Sequence, residues 1–320
     1  MSSISIEINN SGVIYYPVIC GKAEIELCRS GYPGKATFNV LKDDIIDFQE
    51  GNEVLIKVGE KDFFKGYVFT KSRDKEGIIS VLCYDQLRYL KNRGTYTFDN
   101  KKASDIVGII AADYGLKCGD IENSGYVIPL RTEDDKTLMD IIQNTIDETY
   151  LNTGKLFVLY DNCGQLCLKN AENMICDYMS SRETAENYSY ESSIDKNTFN
   201  QIRLTLKGKK GITQEYFKKD MDGISKWGVL QYTGSIEEGE DGKMKAAQLL
   251  SIYGVKSRSL SIKGAFGDSN IRGGSVIYVN LGDISDIIVD EKMTVEKVTH
   301  IFERGVHTMN LSLKGGLINE

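Results

Sequence analysis

The stretch Gly51-Asn52-Glu53-Val54-Leu55-Ile56-Lys57-Val58 has a partner late in the chain, Gly274-Ser275-Val276-Ile277-Tyr278-Val279. Each opens on glycine and a small polar residue, which is turn chemistry, and runs on as a strand rich in β-branched and aliphatic side chains. Each is followed by a short polar turn and a second strand, at 64–69 or 293–298. The echo fits a duplicated β domain and two merely similar hairpins equally well.

Outward from the first copy, residues 1–98 read as strands. Ile4, Ile6 and Ile8 alternate with Ser5 and Glu7, the period-2 signature of a half-buried strand. Similar stretches follow at 13–19, 23–27, 36–40, 53–58, 63–69 and 78–83, parted by turns such as Asn9-Asn10-Ser11-Gly12 and Gly31-Tyr32-Pro33-Gly34. Seven short strands at regular spacing predict a first β-barrel-like domain.

From residue 99 the period becomes helical. Ile106, Val107, Ile110 and Tyr114 share a face that Gly115 terminates; Leu138, Ile141, Ile142 and Ile146 share another. Thr137 and Asp140 at the start of the second resemble a capping box with Asp in place of Glu. With a hairpin turning at Asp161-Asn162-Cys163-Gly164, these predict an α/β domain over 99–170. Residues 171–197 are polar and acidic without sustained periodicity and read as a connecting arm. Strands return within 198–320, at 198–207, 211–218, 257–262, 275–281, 286–289, 293–302 and 306–313. A helix at about 240–256, striped by Ala246, Leu249, Leu250 and Tyr253, interrupts them. The predicted fold class is α+β, mostly β: two β-barrel-like domains, an intervening α/β domain, and a helical insertion in the second barrel.

Composition narrows the function. The chain has 320 residues, 41% of them hydrophobic, enough to fill ordinary cores. With 39 Lys plus Arg against 46 Asp plus Glu it carries −7, which argues against a nucleic-acid binder that neutralises phosphates. No apolar run approaches the ~20 residues of a membrane span. Met1-Ser2-Ser3-Ile4-Ser5 lacks the basic start and apolar run of a secretion signal, so a soluble protein made in a cytoplasm is expected. The charge is uneven: 13 basic and 13 acidic residues in 1–98, 9 and 18 in 99–197, 17 and 15 in 198–320. The acidic middle is expected at the periphery of any assembly, where like charges repel least.

The inventory for catalysis is thin. Seven cysteines, an odd number at irregular spacing, argue against a disulfide framework. Cys163 and Cys167 bracket the hairpin turn at 161–164 and read as structural or tolerated thiols, replaceable by Ser, since no family signature of a Cys hydrolase surrounds them. His300 and His307 are the only histidines; a turn at Arg304-Gly305 puts Phe302 opposite His307 and His300 diagonally on the same face. Two imidazoles without a third ligand read as sheet residues rather than a metal site, and no cofactor is expected. Asp43-Asp44 and Asp134-Asp135 read as turn or cap residues rather than glycosidase acids. Lys207-Gly208-Lys209-Lys210-Gly211 lacks P-loop spacing and reads as a turn between strands.

The segment Cys83-Tyr84-Asp85-Gln86-Leu87-Arg88-Tyr89-Leu90-Lys91-Asn92 resembles the hallmark stretch of the XkdQ/YqbQ family, tail proteins of PBSX-type prophages and related contractile (R-type) bacteriocins. Further matches follow in order at Lys102-Ala103-Ser104-Asp105-Ile106, Gly125-Tyr126-Val127-Ile128-Pro129, Asp140-Ile141-Ile142-Gln143-Asn144 and residues 153–161. Beyond the arm come residues 193–202, 226–232 and Ile271-Arg272-Gly273-Gly274-Ser275, so the resemblance spans nearly the whole chain. Tyr84, Asp85, Leu87, Arg88, Leu90, Gly273 and Gly274 are taken as its structural markers, with Leu87 and Leu90 buried in a short helix.

The resemblance implies a baseplate hub similar in architecture to those of large contractile-tailed phages and to phage late-control gene D proteins. Such hubs carry two β-barrel domains per chain, and three copies imitate sixfold symmetry between a hexameric tail tube and a trimeric central spike. The implied partners are further copies of the chain, the tube or tube-initiator protein, the spike and the tape-measure protein, with no membrane and no specific nucleic acid. Assembly in the host cytoplasm, then residence in the tail baseplate, is implied. No catalytic residue carries over. The rival expectation is a cell-wall-degrading or sugar-binding tail module, against which the chain's end at Glu320, just after its last predicted strand, leaves no room for a fused hydrolase.

Overall fold

The computed structural model describes residues 4–181, 186–208, 211–236, 239–284 and 287–317. The first β unit contains β1 (Ile4–Asn10), β2 (Val13–Tyr15), β3 (Ile19–Cys28), β4 (Lys35–Leu41), β5 (Glu53–Val58), β6 (Lys61–Arg73) and β7 (Ile78–Tyr84). Period-2 alternation drives one face of these strands inward, and Ile6, Ile8, Ile25, Phe38, Val54 and Ile56 share one core. β3 runs unbroken through Gly21 where two separate strands were expected. Gly21, at φ +75°, takes up a register shift that any Cβ would strain.

The middle region begins with a 3-10 turn at Gln86–Lys91, followed by β8 (Arg93–Phe98), α1 (Ala103–Asp113), β9 (Cys118–Ile121), β10 (Arg131–Thr137), α2 (Leu138–Thr153), β11 (Phe157–Asp161) and β12 (Leu166–Asn170). Thr137 caps α2 by accepting the Asp140 amide at 3.1 Å, and Gly154 ends it at φ +74°. The helical stripes seen in the sequence, Ile106, Val107 and Ile110 with Leu138, Ile141, Ile142 and Ile146, meet in one core.

The acidic arm is not a linker. It forms β13 (Ile175–Ser181) and β14 (Asn187–Ser193), both in the large sheet. Its periodicity is carried by Tyr178, Tyr188 and Tyr190, half-buried against the second β core, rather than by aliphatic residues. Next come β15 (Gln201–Gly208), β16 (Gly211–Lys219), α3 (Met221–Trp227), β17 (Gln231–Ile236) and α4 (Gly242–Tyr253). The insertion is therefore larger than the expected helix at 240–256. It is a three-stranded sheet and α4 around its own core of Ile202, Leu204, Ile236, Ala246 and Leu249, with Leu151 of α2 packed on it. The Lys207–Gly211 turn reading falls partly outside the described residues, at Lys209 and Lys210.

The second β unit closes the chain with β18 (Ser257–Phe266), β19 (Val276–Ile284), β20 (Ile287–Glu303) and β21 (Val306–Gly315). Its pairing path, β14-β18-β21-β20-β19-β13, repeats the first unit's β3-β4-β7-β6-β5-β1 strand for strand. The turn before the fourth strand of each path repeats as well. Gly51 and Val68 exchange backbone bonds through Gly51 N to Val68 O (2.8 Å) and Val68 N to Asn52 O (2.9 Å). Gly274 N to Val295 O (2.7 Å) and Val295 N to Ser275 O (2.8 Å) are their counterparts. The Gln49 amide donates to Asn52 Oδ1 at 2.8 Å as the Arg272 amide donates to Ser275 Oγ at 3.0 Å. Gly51 and Gly274 share the left-handed backbone, φ +88° and +92°, so the sequence echo extends to the whole strand path.

The two units were expected to be separate sheets, and they are not. β3 pairs antiparallel with the far half of β20, from Cys28 opposite Lys297 to Ala23 opposite Phe302, joining everything into one 13-stranded sheet. The two cores stay distinct beneath it, stitched by Phe302 entering the first and Leu27 touching the second.

Candidate functional site

Most of the markers expected from the sequence converge where the first unit, the middle region and the second unit meet. Asp85 ends β7 and caps the 3-10 turn: its Oδ1 accepts the Leu87 amide at 3.0 Å and its Oδ2 accepts the Gly34 amide at 2.9 Å. A Cβ on Gly34 would lie 2.3 Å from Asp85 Oδ2, which fixes glycine there. The turn carries Leu87 and Leu90 into the middle core, both buried, while Tyr84 and Arg88 pack beside Phe69 at 5.4 Å each.

Next to Asp85 stands Asp161, at the end of β11. Gln86 Nε2 donates to Asp161 Oδ2 at 2.7 Å, and the Gly164 amide donates to Asp161 Oδ1 at 2.8 Å. From the second unit Arg272 Nη1 donates to the Asp161 carbonyl at 3.1 Å, its guanidinium 4.3 Å from the Tyr160 ring centroid. Burial, with the Asp161 charge second, raises the Asp85 carboxyl well above its ordinary range, and burial pushes Asp161 up to about 6. Gly273 lies against the end of β3, where a Cβ would sit 2.2 Å from the Cys28 carbonyl carbon, and Gly274 lies against Val158. The space left among these groups is about 10 Å³, room for one water and no substrate. Two acids and a cation packed this closely tie three parts of the chain together. Gln86, Asp161 and Arg272 were not singled out from the sequence, although all three lie inside the motif stretches, which was the available signal.

The other candidates do not converge. Phe302 faces His307 across the Arg304-Gly305 turn as expected. His300 Nε2 donates to the Ile271 carbonyl at 2.9 Å and His300 Nδ1 accepts from His307 Nε2 at 3.0 Å, the arrangement a carbonyl acceptor imposes. Burial lowers His300 to about 3 and His307 to about 4, so both are neutral. Among the described residues no group of three or more His, Cys, Asp or Glu is placed to hold a metal. Asp43 accepts the Ile45 and Ile46 amides, which lower its carboxyl, and Asp135 pairs with Arg93 at a β8–β10 irregularity. Cys163 takes φ +49° in the hairpin turn, but Cys167 is buried inside β12 rather than in an exposed turn. Burial pushes the Cys163 thiol up to about 11 and raises Cys167 as well, the opposite of an activated nucleophile.

Two strand edges complete the geometry. On β20 the edge beyond the Val295 irregularity is filled by β3. Among the described residues no strand pairs with the matching edge of β6, residues 70–73, nor with the outer edge of β14.

A family model described as YqbQ-like matches residues 23–314. The chain is 31% identical to YqbQ of Bacillus subtilis (strain 168) over 276 residues, 82% of this chain and 81% of that protein. It is 30% identical to the phage-like element PBSX protein XkdQ of the same organism over 273 residues, with the same coverage. Among solved structures, the 43 kDa tail protein of prophage MuSo2 from Shewanella oneidensis shares the fold: TM-score 0.69 at 14% identity, over 97% of this chain and 98% of that one. The chain belongs to the YqbQ-like family.

Proposed function

We propose that this chain is a structural component of a prophage-type contractile tail, the hub of its baseplate. Three copies form a ring that adapts a sixfold tail tube to a threefold central spike, and the chain resides in the assembled tail after assembly in the host cytoplasm. The observation that carries this reading is the repeated β unit: one chain presents two copies of the same strand path and the same glycine turn, so three chains present six. Kinship with a PBSX element protein supplies the tail context. The buried Asp85–Asp161–Arg272 node suits the work, because it locks the two β units and the middle region into one body that transmits force rather than turning over substrate. Tube or tube-initiator protein, spike and tape-measure protein are the partners of such a ring.

The test is a copy count by quantitative mass spectrometry on tails purified from the host, together with images of the baseplate. Three copies per tail between tube and spike are expected; six copies, or a position on the sheath, sink the reading. A peptidoglycan zymogram of the purified chain should stay uncleared, and a clearing band would replace the adaptor by a cell-wall hydrolase.

A further inference from the structure

We propose that a second copy of this chain docks edge to edge on the first, the outer edge of β14 pairing antiparallel with residues 70–73 of β6, so that the β3–β20 junction is repeated between chains. The number of copies this closes into rests on the hub reading; the contact itself does not. β3 is the last strand of the first path and β14 is the last strand of the second. β6 and β20 are likewise counterparts, each bulged at the residue bonded to the glycine turn, Val68 or Val295. Beyond that bulge β20 is paired by β3, while β6 holds out the same edge with no strand on it among the described residues. Unpaired edges of this kind recruit another strand.

The register follows from the intramolecular template. Val68 faces Cys83 and Val295 faces Leu313; Cys83 faces Ala36 and Leu313 faces Leu260. Ala36 faces Ile25 and Leu260 faces Tyr190, so Ile25 and Tyr190 are counterparts. Ile25 faces His300, five residues past Val295, and Arg73 lies five residues past Val68. In the second copy Tyr190 therefore faces Arg73, Glu191 faces Ser72 and Ser193 faces Thr70. The chemistry agrees: Arg73, Ser72 and Thr70 are exposed and polar, Glu191 is exposed, and a guanidinium over a tyrosine ring is a favourable cross-strand partner. One place differs. The counterpart of Gly273, pressed against the end of β3, is the exposed Glu50, so the second copy stands further off at that end. The contact is heterologous, each copy giving β14 and receiving at β6, which is the geometry that closes rings.

Full-length chain with Ser72→Cys is mixed with tagged full-length chain carrying Glu191→Cys under mild oxidation, and tails are prepared from a host carrying both changes in one chain. Residues directly opposite across such a pair bring their Cβ atoms within about 5 Å, close enough to bridge. The expected result is a tagged covalent dimer in the mixture, or a dimer-to-trimer ladder in the tails, absent from either single change and absent when Arg73→Cys replaces Ser72→Cys. Lack of the product in both preparations overturns the edge pairing. Three copies per tail without the product would leave the hub reading standing and remove this contact. A covalent trimer of free chain, with no copy in the tails, would do the reverse.

Discussion

The first and second β units share a strand path and differ in what has been done to its ends. In the first, β3 and β4 are joined by residues 29–34; in the second, the counterpart strands β14 and β18 are separated by a three-stranded sheet and two helices. β1 runs antiparallel to β5, whereas its counterpart β13 runs parallel to β19. What stays constant is the chain of ladders from the glycine turn onward and the bulge facing it. Backbone groups buried in a sheet must be paired, which holds the ladders in place, while connections on the surface are free to grow. The same turn also serves two ends: Gln49-Glu50-Gly51 faces solvent, and Arg272-Gly273-Gly274 is packed against the middle region.

That contrast is most sharply broken at Arg272. Arg272→Met leaves the buried Asp85–Asp161 pair without its cation and should cost about 3–5 kcal/mol in denaturant unfolding. The counterpart change, Gln49→Met, should stay within about 0.5 kcal/mol because its side chain is exposed. Equal losses at the two positions would show that the node does not join the units.

The glycines come next. Gly51→Ala forces a Cβ into a left-handed backbone with open space around it and should cost about 1–2 kcal/mol. Gly274→Ala meets the same strain and also sets the Cβ 2.6 Å from Val158 Cγ1, so its loss of thermal stability should exceed that of Gly51→Ala by a further ~1–3 kcal/mol. If Gly51→Ala proves the costlier change, the packing of the second turn has been misjudged.

The smallest effect concerns pH. His300 and His307, both in the second unit, are held neutral with lowered values, so unfolded imidazoles gain protons near 6.5 that the native pair refuses until about 3 to 4. The neutral pair's stability is present above the unfolded value and is lost as pH falls, by about 1 kcal/mol for the two together between pH 7 and pH 6. Asp161, raised to about 6, works in the other direction: the native state holds its proton more tightly, and stability is lost as pH rises from the ordinary carboxyl range through 6. Urea midpoints at the two pH values for the wild type and for His300→Gln/His307→Gln isolate the histidine contribution. An unchanged slope in the double variant would rule out the neutral pair.

The sequence by itself determined the elements whose periodicity is carried by aliphatic residues. Most strands of the first unit, the stripes of α1 and α2, the α4 helix and the turns at Gly51 and Gly274 are legible because a face that must be buried writes period 2 or 3.6 into the chain. It also carried the family, because the motif stretches hold the residues of the buried node, Asp85 through Leu90 and Gly273 with Gly274. Tertiary structure alone decided the rest. β13 and β14 read as an arm because half-buried strands need only a few tyrosines inward, and β18, far along the chain, gives β14 its ladder. Two expected strands, at 286–289 and 293–302, merge into β20, since β19, β21 and β3 together keep that long strand paired. The partnership of Asp161 with Arg272 spans 111 positions, and no local pattern encodes a contact whose reason is the burial of charge shared by three parts of the fold.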